Sequence, residues 1–259
     1  MVPRMGKDKV ERLARLVAAV DGAGMLHLRD AANLLAVSEM TVRRDIAASR
    51  GRLSAIGGYV VSEAELNGVG YTLDREEDVH RRAKAAACEH ALALIEPGDT
   101  IFVDCGTTMP HLASRLPGDL NLTVVCYALN VAEIVARRPG VQLIVMGGLH
   151  HPSSATLSGE EGLATLRRVR LNKAFISAGG VHPSRGASCS NFHEVAAKQA
   201  AIANALSAYL VIDSSKFGKV TPAHFADCDS VRGVISENGL LGGEELRAAL
   251  SRFGGQAGA

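Results

Sequence analysis

Apolar residues in the first fifty positions recur at the three- and four-residue spacing of amphipathic helices. The first such run spans residues 9–20 and is stopped by Asp21-Gly22-Ala23-Gly24. A second, shorter helix is predicted over residues 29–36, and Ser38 is a good N-cap for a third helix that runs to about Ser49. The pattern therefore predicts three short helices joined by tight turns.

The third predicted helix has one apolar face and one polar face. Val42 and Ile46 are four residues apart and must face inward, so Arg44 points roughly 160–200° away from them into solvent. Met40 and Thr41 flank Arg44 on the same outer face, and Arg43 lies at its edge. With the capping serine, the set predicted to meet DNA is Ser38, Met40, Thr41, Arg43 and Arg44.

These residue types suit the recognition of double-stranded DNA. Arginine can bond bidentately to guanine, threonine can contact bases or the thymine methyl group, and a serine-capped helix start can hold a phosphate. Two β-prone runs then flank Gly57-Gly58 and predict a hairpin. Three helices and a hairpin make a winged helix-turn-helix over residues 1–61. The alternative is a small helical dimerisation module with a solvated arginine pair, and the order of the parts favours the DNA-binding interpretation.

Beyond residue 61, short apolar runs alternate with helical stretches. Residues 62–74 have no clear periodicity and are predicted to be a linker, and a charged helix follows over residues 75–96. Strands are predicted at residues 100–104, 122–126, 141–146, 173–178, 209–213 and 230–236. Helices are predicted between them at residues 108–116, 131–137, 160–168 and 192–207. This alternation predicts an α/β domain over residues 75–240 with a mainly parallel, doubly wound sheet, followed by a helix and a disordered tail over residues 241–259.

Glycine and polar residues come at or shortly after the ends of five predicted strands. In parallel sheets, ligands bind outside the carboxyl ends of the strands, so these segments are expected to meet at one edge. The residues predicted to line this edge are Asp104, Gly106, Thr107, Thr108, Asn130, Gly148, Gly180 and Lys216.

The segment Asp104-Cys105-Gly106-Thr107-Thr108 lies between a predicted strand and a predicted helix start. Free N–H groups, the helix dipole and the threonine hydroxyls there favour an anion, and Gly106 lets the backbone approach closely. Lys216 supplies the counter-charge, which predicts a phosphate site without the P-loop pattern, since no Gly-Lys-Ser/Thr occurs. An ordinary Asx turn with an N-cap is the alternative for the segment taken alone.

Composition limits the class of protein without naming a function. The 259 residues are 47% hydrophobic and 21% charged, as in an ordinary globular protein. The net charge of +1 is uneven, because residues 1–60 carry ten Lys and Arg against six Asp and Glu, and this suits a nucleic-acid-binding arm. Five cysteines without a CxxC pair, no secretory signal and no apolar run near the ~20 residues of a membrane span predict a cytoplasmic protein with free thiols.

The run from Ala32 to Ile46 resembles the DNA-binding signature of DeoR/GlpR-type regulators. That signature reads Val-Ser-x-x-Thr-(Ile/Val)-Arg-Arg-Asp-Leu and is followed by a Gly-Gly wing, and residues 37–46 match it with Ile46 in place of the final Leu. The wing departs from the family pattern. The segment after Asp45 is shorter than usual, and Ser54 or Ala55 and Ile56 replace the usual Arg and His.

The resemblance extends into the larger domain, which is similar to the effector domain of these regulators. It rests on Asp104-x-Gly106-Thr107-Thr108, Gly147-Gly148, Ser158-Gly159, Gly179-Gly180-Val181, Glu194-x-x-x-Lys198 and Asp213-Ser214-Ser215-Lys216-Phe217-Gly218. That domain is similar in fold to ribose-5-phosphate isomerases, which implies a phosphorylated sugar as effector. Residues 175–182 and 188–194 resemble the deoxyribose-operon branch and favour a pentose phosphate. The implied protein is a repressor of a sugar-catabolism operon, released from its DNA operator by the sugar phosphate.

The alternative is a sugar-phosphate isomerase with an accessory DNA-binding domain. Isomerases of the similar fold carry an acid-rich loop, and the matching loop here, residues 177–181, has no carboxylate for proton transfer. Glu194 and Lys198 remain, either as a helix-surface pair at i,i+4 or as contacts to sugar hydroxyls. We therefore predict no enzyme activity, no catalytic residue and no cofactor.

Two pairs of potential metal ligands, His150-His151 and Cys189 with His193, raise the question of zinc. Adjacent histidines rarely converge and no third ligand stands at metal spacing, so no metal site is predicted. Helix-turn-helix proteins usually pair to read two half-sites, and the Ala-rich helix face over residues 83–93 needs a covering surface. A homodimer or tetramer without membrane association is therefore expected.

Overall fold

The computed structural model describes residues 7–23, 25–49, 52–56, 59–62 and 80–253. Its contacts divide the chain into two units, residues 1–70 and 71–259, each with its own hydrophobic core. Apart from Ser62, the predicted linker (62–74) lies outside the described residues, as do the first part of the predicted charged helix (75–79) and the tail (254–259).

The first unit consists of three helices and a small antiparallel sheet. In chain order its elements are α1 (Lys7–Ala23), β1 (Met25–His27), α2 (Leu28–Leu35), α3 (Glu39–Ala47), β2 (Leu53–Ile56) and β3 (Tyr59–Ser62). The strands pair in the order β1-β3-β2. The three predicted helices and the predicted hairpin are confirmed, whereas β1, with three residues, is too short to predict from its sequence pattern.

The apolar faces of the three helices meet in one core. Its buried members on the helices are Leu16, Val20, Leu28, Ala31, Ala32, Leu35, Val42 and Ile46. An ion pair also joins the first helix to the third, because Arg12 Nε lies 2.9 Å from Oδ2 of Asp45, whose side chain is only 2% exposed. The core and this pair together set which face of α3 turns inward.

The turn between α2 and α3 depends on a residue in the left-handed region. Ala36 has φ 52° and ψ 43°, and its N–H bonds back to carbonyl oxygens of α2. The Val37 N–H bonds to the Ala32 carbonyl at 3.0 Å, so two successive N–H groups close the helix end. Ser38 then accepts a hydrogen bond from the Thr41 N–H at 3.2 Å, which confirms it as the N-cap of α3.

The second unit is an α/β domain built on a large sheet. Its helices are α4 (Arg81–Leu92), α5 (Met109–Ala113), α6 (Leu129–Ala136), α7 (Glu160–Arg168), α8 (Phe192–Asn204) and α9 (Gly243–Ser251). Its strands are β4 (Thr100–Val103), β5 (Leu122–Cys126), β6 (Val141–Val145), β7 (Leu149–His151), β8 (Thr156–Ser158), β9 (Leu171–Ile176), β10 (Gly180–His182), β11 (Gly186–Cys189), β12 (Ala205–Val211), β13 (Ala223–Ala226), β14 (Gly233–Ser236) and β15 (Gly239–Leu241).

The large sheet has the strand order β15-β14-β12-β9-β4-β5-β6. Neighbouring strands from β14 to β6 run parallel, and β15 at the edge is antiparallel. Central strands such as β4 are buried almost throughout, as expected for a sheet covered on both faces. The predicted mainly parallel α/β fold is confirmed. Because the chain runs outward through β5 to β6 and then returns to β9, the switch point lies between β4 and β9.

Two smaller sheets lie beside the large one. β10, β11 and β13 form an antiparallel sheet, and β7 pairs with β8 in a hairpin. The hairpin bonds to the end of β5, since the Leu157 N–H donates to the Tyr127 carbonyl and the Leu129 N–H to that of Ala155. The hairpin therefore lies near the carboxyl end of β5.

Three predicted helices extend well past their observed ends, and the one predicted over residues 75–96 ends at Leu92. The helix predicted over residues 192–207 ends at Asn204, because Ala205 pairs with Leu171 of β9 and starts β12, and this pairing overrides the helix preference of alanine. The helix predicted over residues 108–116 is the five-residue α5, Met109–Ala113. So short a helix has a weak dipole, so any anion beside it depends more on side-chain cations than the sequence suggested.

The five cysteines are free thiols, and Cys228 is the least buried of them. Burial raises the pKa of Cys88, Cys126 and Cys189 to about 12, so these thiols stay protonated and unreactive at neutral pH. Among the described helices, none is both long enough and apolar enough to cross a bilayer.

Replacing Ala36 with glycine is expected to stabilise the first unit. Left-handed backbone costs a residue with a Cβ roughly 1–2 kcal/mol, so glycine should raise the free energy of unfolding by about 0.5–1 kcal/mol despite its larger unfolded-state entropy. Ala18→Gly, on the exposed side of α1, is the matched control and should lower stability by about 0.5–1 kcal/mol. Thermal unfolding measures both, and equal destabilisation by the two changes would contradict the expected gain.

Candidate effector cavity and DNA-facing helix

A cavity lies where the carboxyl ends of β4, β9 and β12 meet. Its lining residues are Lys84, Cys105, Gly106, Thr107, Thr108, Ser177, Ala178, Gly179, Cys189, Ser190, Asn191, Glu194 and Lys216. Of the predicted effector residues, the structure therefore brings Gly106, Thr107, Thr108, Glu194 and Lys216 together. They come from three separate parts of the chain, as the switch-point argument requires.

Asp104 adjoins the cavity and is fully buried. Its Oδ1 accepts a hydrogen bond from the Tyr127 hydroxyl at 2.8 Å, and its Oδ2 accepts from the Ser177 N–H at 2.7 Å and the Ser177 hydroxyl at 2.8 Å. Lys198 Nζ donates to the same Oδ2 at 2.5 Å. Because these donors occupy both oxygens, Asp104 ties the ends of β4, β5 and β9 to α8.

Lys198 is the cation of this buried network. Its Nζ also donates to the Ser177 carbonyl at 3.1 Å and lies 3.7 Å from Oε2 of Glu194. Burial is the largest single effect and lowers the pKa of Lys198, but Asp104, Cys105, Glu194 and Cys189 together outweigh it and raise that pKa well above its ordinary value. The ammonium group therefore stays protonated and has no free electron pair for chemistry.

Glu194 lies between this network and the cavity. Its side chain accepts a hydrogen bond from Asn191 Nδ2 at 2.8 Å and is almost fully buried. Burial raises the pKa of Glu194, although the nearby Lys198 opposes this. Both members of the pair are buried, so the interpretation of Glu194 and Lys198 as a helix-surface pair is wrong.

The loop after β4 presents two threonines to the cavity. Gly106 has φ 87°, a left-handed conformation that favours glycine and lets the chain turn sharply there. Thr107 Oγ1 accepts a hydrogen bond from Lys84 Nζ at 2.8 Å, and the Thr108 carbonyl accepts one from Cys88 Sγ at 3.3 Å. The predicted anion loop is therefore held by the buried face of α4.

Lys216 reaches the cavity from the segment after β12. Ser214–Lys216 forms a single 3₁₀ turn, which Asp213 caps by accepting a hydrogen bond from the Ser215 N–H at 3.1 Å. The next residue, Phe217, stacks on Phe253 beyond α9, with ring centroids 6.4 Å apart. The 3₁₀ turn that Asp213 caps and the stacking of Phe217 on Phe253 therefore position Lys216.

Besides Asp104 and Lys198, three more predicted effector residues lie outside the cavity wall. Asn130 Nδ2 donates to the Gly106 carbonyl at 3.4 Å, so it supports the threonine loop from behind. A Cβ at Gly148 would lie 2.3 Å from the Ser158 carbonyl oxygen, and one at Gly180 would lie 2.3 Å from that of Lys219. The two glycines thus allow close approach of backbone segments, and their contact with a ligand stays a prediction.

The outer face of α3 carries the side chains predicted to meet DNA. Met40 is 68% exposed, and Arg43 and Arg44 are exposed. Val42 and Ile46 are buried, as the spacing predicts. Ser38 Oγ lies 3.0 Å from Thr41 Oγ1, so the cap orders this threonine hydroxyl at the helix start. Their contact with DNA stays a prediction.

Family models match both units. Residues 12–54 match the DeoR-like helix-turn-helix domain, and residues 79–238 match the DeoR C-terminal sensor domain. The chain belongs to the DeoR family. The predicted family membership is therefore confirmed over most of the chain.

Two relatives extend along most of this DeoR-family chain. The deoxyribose operon repressor of Escherichia coli (strain K12) is 37% identical over 233 residues, which cover 90% of this chain and 92% of the relative. The lactose phosphotransferase system repressor of Staphylococcus epidermidis (strain ATCC 12228) is 30% identical over 241 residues, covering 90% and 94%. Both are named as repressors, so the prediction of a regulator rather than an enzyme is confirmed.

A solved structure shows a more distant likeness. Ribose 5-phosphate isomerase A from Methanocaldococcus jannaschii aligns with 52% of this chain at 15% identity and a TM-score of 0.40. The DeoR-family chain spans about half of that isomerase, 54% of its length.

Sequence reasoning missed several residues that line the cavity at the carboxyl ends of β4, β9 and β12, and Lys84 is the most important of them. The signal was present, because Lys84, Ala87, Cys88 and Ala91 recur at the spacing of one helical face, and a lysine within an otherwise apolar stripe needs a partner. Ser177 and Asn191 fall in segments quoted for the family resemblance. The Ser177 hydroxyl donates to Asp104, which is 73 positions away, whereas Asn191 Nδ2 donates to Glu194 within the same turn of chain.

The histidines considered as zinc ligands form a stack instead. His151 and His193 lie face to face, with ring centroids 3.7 Å apart, and His193 Nε2 lies 3.1 Å from Ser154 Oγ. Burial, aided by His151, lowers the pKa of His193 to about 4. In the part of the chain that the structure describes, no three His, Cys, Asp or Glu side chains are grouped to hold a metal ion.

Replacing Lys198 with methionine is expected to destabilise the sensor domain. The change leaves the Asp104 carboxylate buried without its cation, so the free energy of unfolding should fall by about 3–5 kcal/mol. In the wild type the raised pKa of Lys198 keeps this contribution through the neutral range, and it is lost only as pH rises through the folded-state pKa.

Urea unfolding followed by circular dichroism measures this effect. The double variant Asp104→Asn/Lys198→Met is the control, because it removes both charges and should recover most of the lost stability. A single variant as stable as the wild type would contradict the assigned role of the pair.

Proposed function

We propose that this DeoR-family chain represses a sugar-catabolism operon. It leaves its double-stranded DNA operator when a phosphorylated sugar binds the cavity at the carboxyl ends of β4, β9 and β12. The observation that carries the proposal is the meeting of Thr107, Thr108, Lys84 and Lys216 in one cavity at the switch point of the sheet. Hydroxyl donors and two ammonium groups suit a dianionic phosphate, because charge-assisted hydrogen bonds are the strongest polar contacts available.

Binding to DNA is assigned to α3. Arg43 and Arg44 are exposed on a helix whose opposite face is locked by the core and by the Arg12–Asp45 pair. A helix held in this way can enter the major groove with arginines aimed at guanine and with Thr41 at its start. Ser38 and Met40 complete the proposed contact surface.

The sugar of the effector is expected to meet the other side of the cavity. Glu194 and Asn191 offer a carboxyl and an amide to hydroxyl groups, next to the buried network of Asp104 and Lys198. We favour a pentose phosphate, because the relative named for the deoxyribose operon shares more identity with this chain than the relative named for the lactose phosphotransferase system.

Isomerase chemistry finds little support in the carboxylates near the cavity. A general base must accept a proton from the substrate. Asp104 already accepts four hydrogen bonds and is fully buried, and Lys198 is a protonated partner of that carboxylate. Glu194, the carboxyl that lines the cavity, accepts a hydrogen bond from Asn191 Nδ2 and lies 3.7 Å from Lys198 Nζ, so the arrangement suits binding of a ligand better than its conversion.

We also propose that the chain acts as a homodimer or tetramer, since helix-turn-helix proteins usually read two half-sites. One earlier reason for this expectation falls away, because Ala87 and Ala91 of α4 are buried within their own unit. Light scattering at micromolar concentration should give at least twice the monomer mass of 27.1 kDa, and a monomer mass with and without DNA would contradict the proposal.

Arg44→Ala should reduce the preference of the protein for its operator. Loss of one bidentate base contact is expected to cost about 1–3 kcal/mol of discrimination, whereas binding to unrelated DNA changes little. Arg29→Ala removes an exposed arginine from α2 and is the matched control, which should leave the preference unchanged. Electrophoretic shifts on a duplex selected from a random pool and on unrelated DNA measure the ratio, and an unchanged ratio for Arg44→Ala would refute the assignment.

Phosphorylated sugars should raise the melting temperature far more than the matching free sugars. The screen covers deoxyribose 5-phosphate, ribose 5-phosphate and hexose phosphates, each paired with its free sugar. Lys216→Ala should remove the shift, whereas Lys219→Ala, an exposed lysine outside the cavity wall, should keep it. If free sugars bind as well as their phosphates, the phosphate site is wrong, and turnover of the ligand in the same tube would restore the enzyme alternative.

A further inference from the structure

One exposed apolar side chain lies on the helix that is proposed to bind DNA. Met40 is 68% exposed and is the second residue of α3. Single exposed apolar residues are common on protein surfaces and need no explanation by themselves. The position of this one is informative, because the residues that contact base edges in a helix-turn-helix are those at the N-terminal end of the recognition helix.

Met40 shares its face of α3 with the exposed Arg44. The two residues are four positions apart, so they lie one above the other on one side of the helix, roughly 6 Å apart along its axis. Val42 lies about 200° away from Met40 around the helix and is fully buried in the core of this unit. Met40 and Arg44 are therefore both on the side of α3 that faces away from the core.

The other residues at this end of α3 are polar. Ser38 Oγ lies 3.0 Å from Thr41 Oγ1 and accepts a hydrogen bond from the Thr41 N–H at 3.2 Å, so the threonine hydroxyl already has a partner. Arg43 and Arg44 are exposed and charged. Within this set, Met40 is the long apolar side chain, and its thioether has no group that can donate a hydrogen bond to a base.

The major groove of B-DNA presents one apolar group, the C5-methyl group of thymine. The other groups that distinguish the bases there are hydrogen-bond donors and acceptors. A methionine side chain gains free energy when it buries apolar surface against a methyl group, and it loses free energy when it covers a polar group that it cannot pair with. The two arginines match the negative charge of a duplex, so this surface suits DNA that places a thymine against Met40.

We propose that Met40 is a specificity-determining residue and that it recognises the methyl group of a thymine in the operator. The inference rests on the proposed function, because it assigns to one residue of α3 the chemical group that this residue contacts. Arg44 supplies the polar part of the base recognition, and Met40 supplies the apolar part.

Replacement of thymine by deoxyuridine tests this contact directly. Deoxyuridine lacks only the C5-methyl group and keeps every hydrogen-bonding group of thymine. A duplex that the wild type selects from a random pool is synthesised with one thymine replaced at a time, and fluorescence anisotropy measures its dissociation constant for the full chain. Met40→Ala removes the apolar chain, and Met40→Leu keeps one. Leu34→Ala, which removes a 42% exposed apolar side chain from α2, is the matched control.

The wild type should bind about 4-fold more weakly when the methyl group next to Met40 is absent, because burial of one such group contributes roughly 0.8 kcal/mol. Met40→Leu and Leu34→Ala should show the same loss at the same thymine. Met40→Ala should bind the thymine and deoxyuridine duplexes equally. Binding to unrelated DNA should be unchanged in every variant, since phosphate contacts carry it.

A wild type that selects no duplex from the pool would overturn the proposed function and, with it, the inference. If the wild type selects a duplex but no deoxyuridine weakens binding, or if the loss is as large in Met40→Ala as in the wild type, the inference alone is wrong. Met40→Ala could also halve the mass of the protein in light scattering. That result would overturn the inference too, because Met40 would then pack against a second copy of the chain.

Discussion

The buried ion pair between Asp104 and Lys198 determines how the edge of the sensor sheet is built. Asp104 follows β4, Tyr127 follows β5 and Ser177 follows β9, and Asp104 accepts hydrogen bonds from the other two. Lys198 on α8 donates to Asp104 and to the Ser177 carbonyl. Desolvation of two charges can exceed their mutual attraction, so the pair is not explained by stability alone. Its effect is positional, because it holds the ends of three strands and one helix beside the cavity.

That arrangement divides the charged groups of the sensor domain into two sets. The Asp104 carboxylate is fully occupied by donors, whereas the cavity wall holds Lys84, Lys216, the hydroxyls of Thr107 and Thr108, and the Glu194 carboxyl that is paired with Asn191 and Lys198. Cations and neutral donors in a concave site favour an anionic ligand. The proposed sugar phosphate would therefore meet cations and hydroxyls at this sheet edge, while the carboxylates of Asp104 and Glu194 are engaged by protein donors.

The sequence pattern predicted the elements well where one face of each is buried. Val42 and Ile46 indicated which face of α3 turns outward, and apolar runs located β4 and β12, the strands that Thr107 and Lys216 follow. Partners far apart in the chain could not be predicted, such as Arg12 and Asp45, which are separated by 33 positions. The sequence also could not predict whether a glycine makes room for a backbone segment or for a ligand, because close approach of either requires a missing Cβ.

The most direct measurement is a crystal structure of the protein with deoxyribose 5-phosphate. The account predicts the phosphate group within hydrogen-bonding distance of Thr107, Thr108, Lys84 and Lys216, with the Asp104–Lys198 pair intact beside it. A sugar phosphate bound elsewhere on the chain, or one whose phosphate points away from the threonine loop, would contradict the account.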